Sequence, residues 1–243
     1  DNYDTFLSNY PYINSPVQIN RIEVWVTNRG YQTQNVRNII ALQDLGEANP
    51  KDIVRRSEAK ENDLLIVSGD LGGAYMGLNV LQREKEVWKN NPNMQPELED
   101  FNYILERQLK PEARKDIIEL FKDLEIKPTS MIDVSDGLAS EIFHICKSSS
   151  VGCQVYENKI PIDPETYKTS MDFNTNPTVS ALNGGEDYEL LFTINQKDYE
   201  KIKNDPKLTA IGHITNKDQG INLIGNGDTV TPLKAQGWNH FNS

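Results

Sequence analysis

The chain has 243 residues, enough for one large or two modest domains, with a formal net charge of −11 at pH 7 and a mean hydropathy of −0.60. The acidic excess argues against a nucleic-acid binder that neutralises phosphates, and no apolar run reaches the roughly 18–20 residues that span a bilayer, so we expect neither a nucleic-acid nor a membrane partner. The opening residues carry no basic region followed by an apolar run, and two cysteines make no disulfide framework, which predicts a reduced, cytoplasmic protein.

The first 45 residues differ in composition from the rest of the chain. They contain no lysine, since every lysine lies from Lys51 onward. Residues 21–27 alternate polar and apolar side chains, which predicts a strand, and residues 36–42 form a second, less regular apolar stretch. Residues 23–29 (EVWVTNR), 37–41 (RNIIA) and 44–47 (DLGE) resemble a segment of SprA-type outer-membrane proteins of the gliding and type IX secretion machinery. We interpret residues 1–45 as a β-rich segment of different origin; a divergent edge hairpin of the main domain is the alternative.

From Asp52 onward, apolar strand patterns alternate with helical ones, which predicts an α/β layer domain over residues 46–243. The predicted strands are 64–67, 131–134, 151–156, 188–194, 209–215 and 221–224. The predicted helices are 74–88, 101–109, one beginning at Pro111, 136–147 and 198–204. The fold class is therefore α/β.

The segment with the clearest chemical signal is residues 132–138 (IDVSDGL). A strand end brings Asp133, Ser135 and Asp136 to one turn before a helix begins. An Asp or Ser at that position is also a helix N-cap, which is the structural alternative. Two carboxylates three residues apart are more than a cap needs. Grouped oxygen ligands of this kind suit Mg²⁺, which takes a few carboxylates plus water and phosphate oxygens.

A second acidic segment is residues 183–192 (NGGEDYELLF), in which two glycines allow the backbone to approach a ligand closely. The acids would open a strand, so that Glu186 and Tyr188 share one face. Asp187 and Glu189 would share the other. A solvated acidic face is the alternative interpretation.

Two further segments are typical of phosphate binding. Arg56 lies just before the first predicted strand of the α/β region, and a guanidinium is a bidentate donor to phosphate. Residues 68–73 (SGDLGG) form a glycine-rich strand-to-helix turn, a possible anion site. This turn matches neither GxGxxG nor the lysine-bearing P-loop, so no nucleotide fingerprint applies.

Four segments, in this order along the chain, resemble elements of the thiamine-monophosphate kinase family. They are residues 56–60 (RSEAK, similar to RSGAK with Glu58 in place of glycine), 133–138 (DVSDGL, similar to DxSDGL), 184–190 (GGEDYEL) and 235–241 (AQGWNHF, similar to a terminal glycine–aromatic–x–His–Phe segment). The resemblance covers about residues 46–243, the second domain of our division.

The resemblance implies a PurM-like C-terminal domain, a mixed sheet with flanking helices, and ATP-dependent phosphorylation of thiamine monophosphate to thiamine diphosphate. It implies that Asp133 and Asp136 bind Mg²⁺. It also implies that Arg56 and Ser135 contact ATP, and that Glu186 and Trp238 contact thiamine monophosphate. No protein nucleophile or base is implied, because phosphoryl transfer depends on positioning and charge neutralisation.

The family also has an N-terminal domain with three acidic segments, similar to GDDAA, SDIAAMG and GGDT, and none occurs in this sequence. Since those segments carry most of the metal ligands and most of the homodimer interface, we expect the chain alone to show no kinase turnover. One alternative is a non-catalytic nucleotide- or ligand-binding remnant. Another is a PurM-like ATP-dependent enzyme with a different substrate, against which Glu186 and Trp238 argue. The third is a surface or secretion-associated interaction module built around residues 1–45.

Overall fold

The computed structural model describes residues 53–234 and two short strands nearer the N-terminus. Those strands, β1 (Glu23–Trp25) and β2 (Ile39–Ala41), pair antiparallel with Val24 opposite Ile40. They lie within the two stretches that the sequence marks as apolar. The chain divides into two compact units, Asp1–Ile53 and Val54–Ser243. The separate origin of residues 1–45 stays a prediction.

The second unit alternates strands with helices. Its strands are β3 (Leu64–Ser68), β4 (Ser130–Asp133), β5 (Gly152–Tyr156), β6 (Leu190–Ile194), β7 (Leu208–Thr215), β8 (Ile221–Ile224) and β9 (Val230–Pro232). Its helices are α1 (Gly73–Asn90), α2 (Asn102–Leu109), α3 (Lys115–Asp123), α4 (Leu138–Ser149), α5 (Pro164–Asp172), α6 (Pro177–Asn183) and α7 (Tyr199–Ile202). Short 3-10 turns lie at Glu99–Phe101, Glu157–Lys159, Gln196–Asp198, Lys217–Gln219 and Asn226–Asp228.

The seven strands form one mixed sheet in the order β4-β6-β3-β7-β5-β8-β9. Neighbouring strands are antiparallel except β5 and β8, which are parallel. The predicted fold class, a mixed sheet with flanking helices, is confirmed. In the described part of the chain, no helix is long and apolar enough to cross a membrane.

Both faces of the sheet are buried, because side chains alternate between the two faces along each central strand and helices pack against each face. On β3, Leu65 and Val67 pack with α4 and α6, whereas Ile66 packs with α3 on the opposite face. On that second face, Phe121 of α3 meets Phe192 of β6 edge to face, with ring centroids 4.9 Å apart. Helices therefore cover both faces of the sheet, and its loops can carry a site.

Several boundaries differ from the sequence-based predictions. β6 begins at Leu190 rather than Tyr188, α3 at Lys115 rather than Pro111, and α4 at Leu138 rather than Asp136. Helices α5 and α6 were not predicted at all, although both begin with proline after a capping side chain. Asp163 accepts from the Glu165 amide and Asn176 from the Thr178 amide, a recognisable start signal.

Candidate functional site

The turn between β4 and α4 presents two exposed carboxylates. The N-cap of α4 is Gly137, with φ 105°, and no side chain caps the helix. The capping alternative for Asp136 and Ser135 is therefore wrong. Asp133 and Asp136 are exposed, and neither carboxylate hydrogen-bonds or ion-pairs with another described residue. These oxygens remain available to a ligand.

The Arg56 turn is attached to the same helix and strand. Ser149, at the end of α4, accepts from the Ala59 amide (3.1 Å) and donates to the Arg56 carbonyl (3.3 Å). Where the family has glycine, Glu58 lies outside the left-handed region and pairs with Arg55 at 3.3 Å. The turn thus tolerates a side chain there, and the departure from the family motif leaves Arg56 in place.

Arg56, Asp133, Ser135 and Asp136 line one cavity of about 400 Å³, which we call the acidic cavity. Its remaining walls come from Met131, Ile132, Glu141 and His144. The structure therefore brings together four of the six residues that the sequence singled out. Among described residues, no group of three or more His, Cys, Asp or Glu has metal-site geometry.

Glu141 is a buried acid of this cavity that the sequence analysis missed. It accepts a hydrogen bond from the Asp136 amide (3.1 Å) and so fixes the turn. The pKa of Glu141 is raised to about 7, chiefly because the carboxyl is buried; the hydrogen bond from the Asp136 amide and the charge of Arg56 lower this pKa, whereas the charges of Asp136 and Asp133 raise it. The signal available in the sequence was an acid near the start of the helix predicted over 136–147, just after DVSDGL.

The second acidic segment is hydrogen-bonded directly to the first turn. The Glu186 amide donates to the Ser135 carbonyl (2.8 Å), and the Tyr188 amide donates to the Val134 carbonyl (2.9 Å). Gly185 is required there, since a Cβ at that position would lie 2.4 Å from the Ser135 carbonyl oxygen. The predicted strand over 186–189 is wrong, because Glu186 and Tyr188 have φ values of 69° and 51°.

The acids of this segment have two different environments. Glu186 is exposed and accepts from the Tyr188 hydroxyl (2.9 Å), whereas Asp187 and Glu189 are buried. The solvated-face alternative therefore fails for the buried pair.

Asp187 fills the anion site that the glycine-rich turn suggested. It accepts from the backbone amides of Gly72 (2.7 Å) and Ala74 (3.2 Å), at the start of α1. The pKa of Asp187 is raised to about 7 because burial outweighs the lowering by these two amides and by Arg107. The turn is thus a capping site for the chain's own carboxylate.

Glu189 is the centre of a buried polar network. It accepts from the Ser68 hydroxyl (2.5 Å), from Arg107 (2.8 Å) and from Arg114. Arg114 also holds Asp116 at 3.0 Å. Residues 111–114 form no helix, and from this segment Arg114 reaches Glu189.

Glu186 lines a second cavity, of about 230 Å³. Its walls are Tyr75, Leu78, Gln108, Ser135, Asp136, Gly185 and Glu186. Ser135 and Asp136 also line the acidic cavity, so one turn borders both spaces. Arg56 lines the first of these cavities and Glu186 the second. Trp238, the last predicted site residue, lies outside the described residues.

No protein-family model matches the chain. The chain is 35% identical over 212 residues to thiamine-monophosphate kinase of Buchnera aphidicola subsp. Schizaphis graminum, and 30% identical over 208 residues to that of Bacillus subtilis. The chain is similar to thiamine-monophosphate kinases. These alignments cover 83% and 84% of this chain but 60% of each relative. The chain thus spans about 60% of the length of those curated relatives.

Solved structures agree in fold. AaThiL complexed with AMPPCP and TMP matches with a TM-score of 0.62 and 30% identity, over 77% of this chain and 54% of that one. Thiamine-monophosphate kinase from Stenotrophomonas maltophilia K279a matches with a TM-score of 0.60 and 27% identity, over 72% of this chain and 54% of that one. HypE from E. coli, at 14% identity and a TM-score of 0.55 over 77% of this chain and 54% of its own, shows the shared fold alone.

Proposed function

We propose that the second unit binds ATP and thiamine monophosphate in an ATP-dependent thiamine-monophosphate kinase, whose product is thiamine diphosphate. The observation that carries the proposal is the turn at Ser135 and Asp136, which lines both cavities. A phosphoryl donor and its acceptor must meet at one point, in line, for transfer. Two adjoining cavities that share one turn supply such a meeting point.

The acidic cavity is the nucleotide side. Arg56 binds ATP phosphates through its planar guanidinium, and the Ser135 hydroxyl contacts the nucleotide. Asp133 and Asp136 hold Mg²⁺. Their fit rests on two exposed carboxylates with no partner in the described part of the chain, since Mg²⁺ takes one or two carboxylates and completes its shell with waters and phosphates. Bound Mg²⁺ neutralises charge on the transferring phosphoryl group.

The second cavity is the acceptor side, with Glu186 and Trp238 as the substrate-binding residues. The acceptor is a phosphate monoester that is already ionised at neutral pH, so no side chain has to remove a proton. Its oxygen bonds to the γ-phosphorus of ATP, the bond from that phosphorus to the β,γ-bridging oxygen breaks, and ADP leaves. The role of the chain's residues is therefore to position the two substrates and to neutralise the charge of their phosphates.

The cellular setting is part of the same proposal. Cys146 and Cys153 are buried and free, which agrees with a reducing, cytoplasmic compartment. The homodimer and the SprA-type resemblance of residues 1–45 stay predictions.

Isothermal titration calorimetry tests the proposal. The chain is titrated with thiamine monophosphate, and separately with a non-hydrolysable ATP analogue plus Mg²⁺. We expect both to bind, and Asp133→Asn to weaken analogue binding at least about tenfold, which is about 1.4 kcal/mol. The matched control Asp123→Asn, at the exposed end of α3, should bind like wild type.

The outcomes separate the alternatives. Binding of the analogue without thiamine monophosphate would favour a related ATP-dependent enzyme with another substrate. Failure of both ligands to bind would remove the proposed function. Equal loss in Asp133→Asn and Asp123→Asn would remove Asp133 from the nucleotide site.

A further inference from the structure

The second cavity has a wall that the kinase motifs do not account for. Tyr75 and Leu78 of α1 and Gln108 of α2 face the motif residues across the space. At about 230 Å³, the cavity is smaller than the few hundred Å³ of a site that encloses a whole drug-sized ligand. It therefore suits one ring of a substrate rather than the entire molecule.

Gln108 is held in this wall by an unusually close contact between α1 and α2. At Gly77, an added Cβ would lie 2.1 Å from the Ile104 carbonyl oxygen and 3.0 Å from the Gln108 Cβ. Only glycine allows that approach, so the backbone around Gln108 has little freedom to move away from the cavity.

The Gln108 carboxamide has an unmet hydrogen-bonding need. Its Oε1 is shielded from solvent and accepts from no partner among the described residues. A buried acceptor without a donor is destabilising, and native proteins keep few of them. Gln108 lines the cavity, and rotation about χ3, a broad two-fold torsion, exchanges its amide oxygen and nitrogen, so the oxygen can leave this shielded position and accept a hydrogen bond from a ligand in the cavity.

We propose that Gln108 is a specificity-determining residue that accepts a hydrogen bond from the exocyclic amine of the substrate's aminopyrimidine ring. The inference rests on the proposed function and adds a residue to it. An exocyclic amine has two N–H groups and can donate to two acceptors, Gln108 and the carboxylate of Glu186. Tyr75 and Leu78 pack against the ring.

This arrangement predicts discrimination by hydrogen bonding. A site built around a substrate donor rejects the analogue that lacks it, because the site's acceptors then stay unpaired. The informative ligand pair is thiamine monophosphate and the analogue in which a carbonyl oxygen replaces the exocyclic amine.

The experiment measures the Kd of both ligands for the full chain and its variants by calorimetry. Gln108→Met is similar in length but lacks the amide, so it should bind thiamine monophosphate roughly five- to tenfold more weakly than wild type does. It should bind the carbonyl analogue at least as tightly as wild type does. Gln108→Glu keeps an acceptor and should retain most of the binding. Gln82→Met, an exposed glutamine on α1, is the matched control and should change neither Kd.

A thermal melt without ligand separates recognition from a merely structural role. Because Oε1 of Gln108 has no donor, Gln108→Met should melt within a few degrees of wild type. If Gln108→Met does not fold, Gln108→Glu decides the question. The inference then holds only if Gln108→Glu folds, binds thiamine monophosphate and still rejects the carbonyl analogue.

The remaining outcomes are distinct. If wild type binds thiamine monophosphate and Gln108→Met binds it equally well, the inference is wrong and the proposed function stands. Equal weakening of both ligands would mean that Gln108 shapes the cavity without reading the amine, which also overturns the inference. If wild type binds neither ligand, the proposed function fails and takes the inference with it.

Discussion

The two acidic segments of this protein differ in what their carboxylates contact. Asp133 and Asp136 are exposed and have no side-chain partner among described residues. Asp187 and Glu189 are buried and accept hydrogen bonds from protein groups. Both segments lie beside glycine and look alike as sequence. A carboxylate is therefore available to a ligand only where the fold has not already supplied its donors.

The buried pair supports the exposed one. Asp187 caps α1, which carries Tyr75 into the second cavity, and Glu189 ties β3 to the arginines of α2 and of the segment before α3. Backbone hydrogen bonds then join the segment that follows Gly185 to the turn at Ser135. The buried acids thus fix the geometry of the site, and the exposed acids remain available to bind a ligand.

The largest effect in this comparison is expected at Glu189. Glu189→Gln removes the buried charge that pairs with both Arg107 and Arg114, so that these partly buried cations keep only their weaker pairs, Asp187 at 3.7 Å and Asp116 at 3.0 Å. We expect the free energy of unfolding to fall by about 3 kcal/mol. Chemical denaturation measures it.

Glu106→Gln is the control for that variant. Glu106 is exposed on α2 and pairs loosely with Lys110 at 3.5 Å, so its loss should change the free energy of unfolding by less than about 0.5 kcal/mol. Equal effects of the two variants would show that burial does not distinguish these acids.

A smaller effect is expected at Asp187. At pH 5 Asp187 is mostly the neutral acid, whose two oxygens can still accept from the Gly72 and Ala74 amides, whereas the amide nitrogen of Asp187→Asn cannot accept; we therefore expect a loss of about 1–2 kcal/mol at that pH. The pKa of Asp187 is raised by burial, so its contribution is full below about pH 4 and is lost as pH rises through about 7.

The difference in unfolding free energy between wild type and Asp187→Asn should therefore narrow between about pH 4 and pH 8. Denaturation curves across that range check it. A gap that widens with rising pH would mean that the two amides and Arg107 outweigh burial and keep the carboxylate ionised.

Asp133→Asn should have almost no effect on stability. The side chain is exposed, and Asp136 and Glu141 are like charges nearby, so its neutralisation should leave the free energy of unfolding within about 0.5 kcal/mol of wild type or slightly above it. A loss comparable to that of Glu189→Gln would show that Asp133 is structural after all.

The smallest effect is expected at Tyr188. Tyr188→Phe removes the hydroxyl that donates to Glu186, a contact at the surface, and should change the unfolding free energy by less than about 0.5 kcal/mol. Since Glu186 loses an orienting partner, thiamine monophosphate should bind about two- to threefold more weakly. Unchanged calorimetric affinity would show that Glu186 needs no such support.

The sequence by itself determined the fold class and the positions of most central elements. Strands β3, β7 and β8 and helix α1 appear within two residues of their predicted positions, because buried strands and amphipathic helices have periodic apolar patterns. It also selected Arg56, Asp133, Ser135 and Asp136, which the structure gathers around one cavity.

Only the tertiary structure decided which acids are buried and which residues complete each cavity. Asp187 and Glu189 differ from Asp133 through partners that lie 75 to 121 residues away in sequence, such as Ser68 and Arg114. Gln108 has no local pattern that marks it, since its place in the second cavity follows from the contact of α1 with α2 at Gly77. Periodicity reports local geometry, whereas burial and hydrogen-bond satisfaction depend on which distant groups the fold brings together.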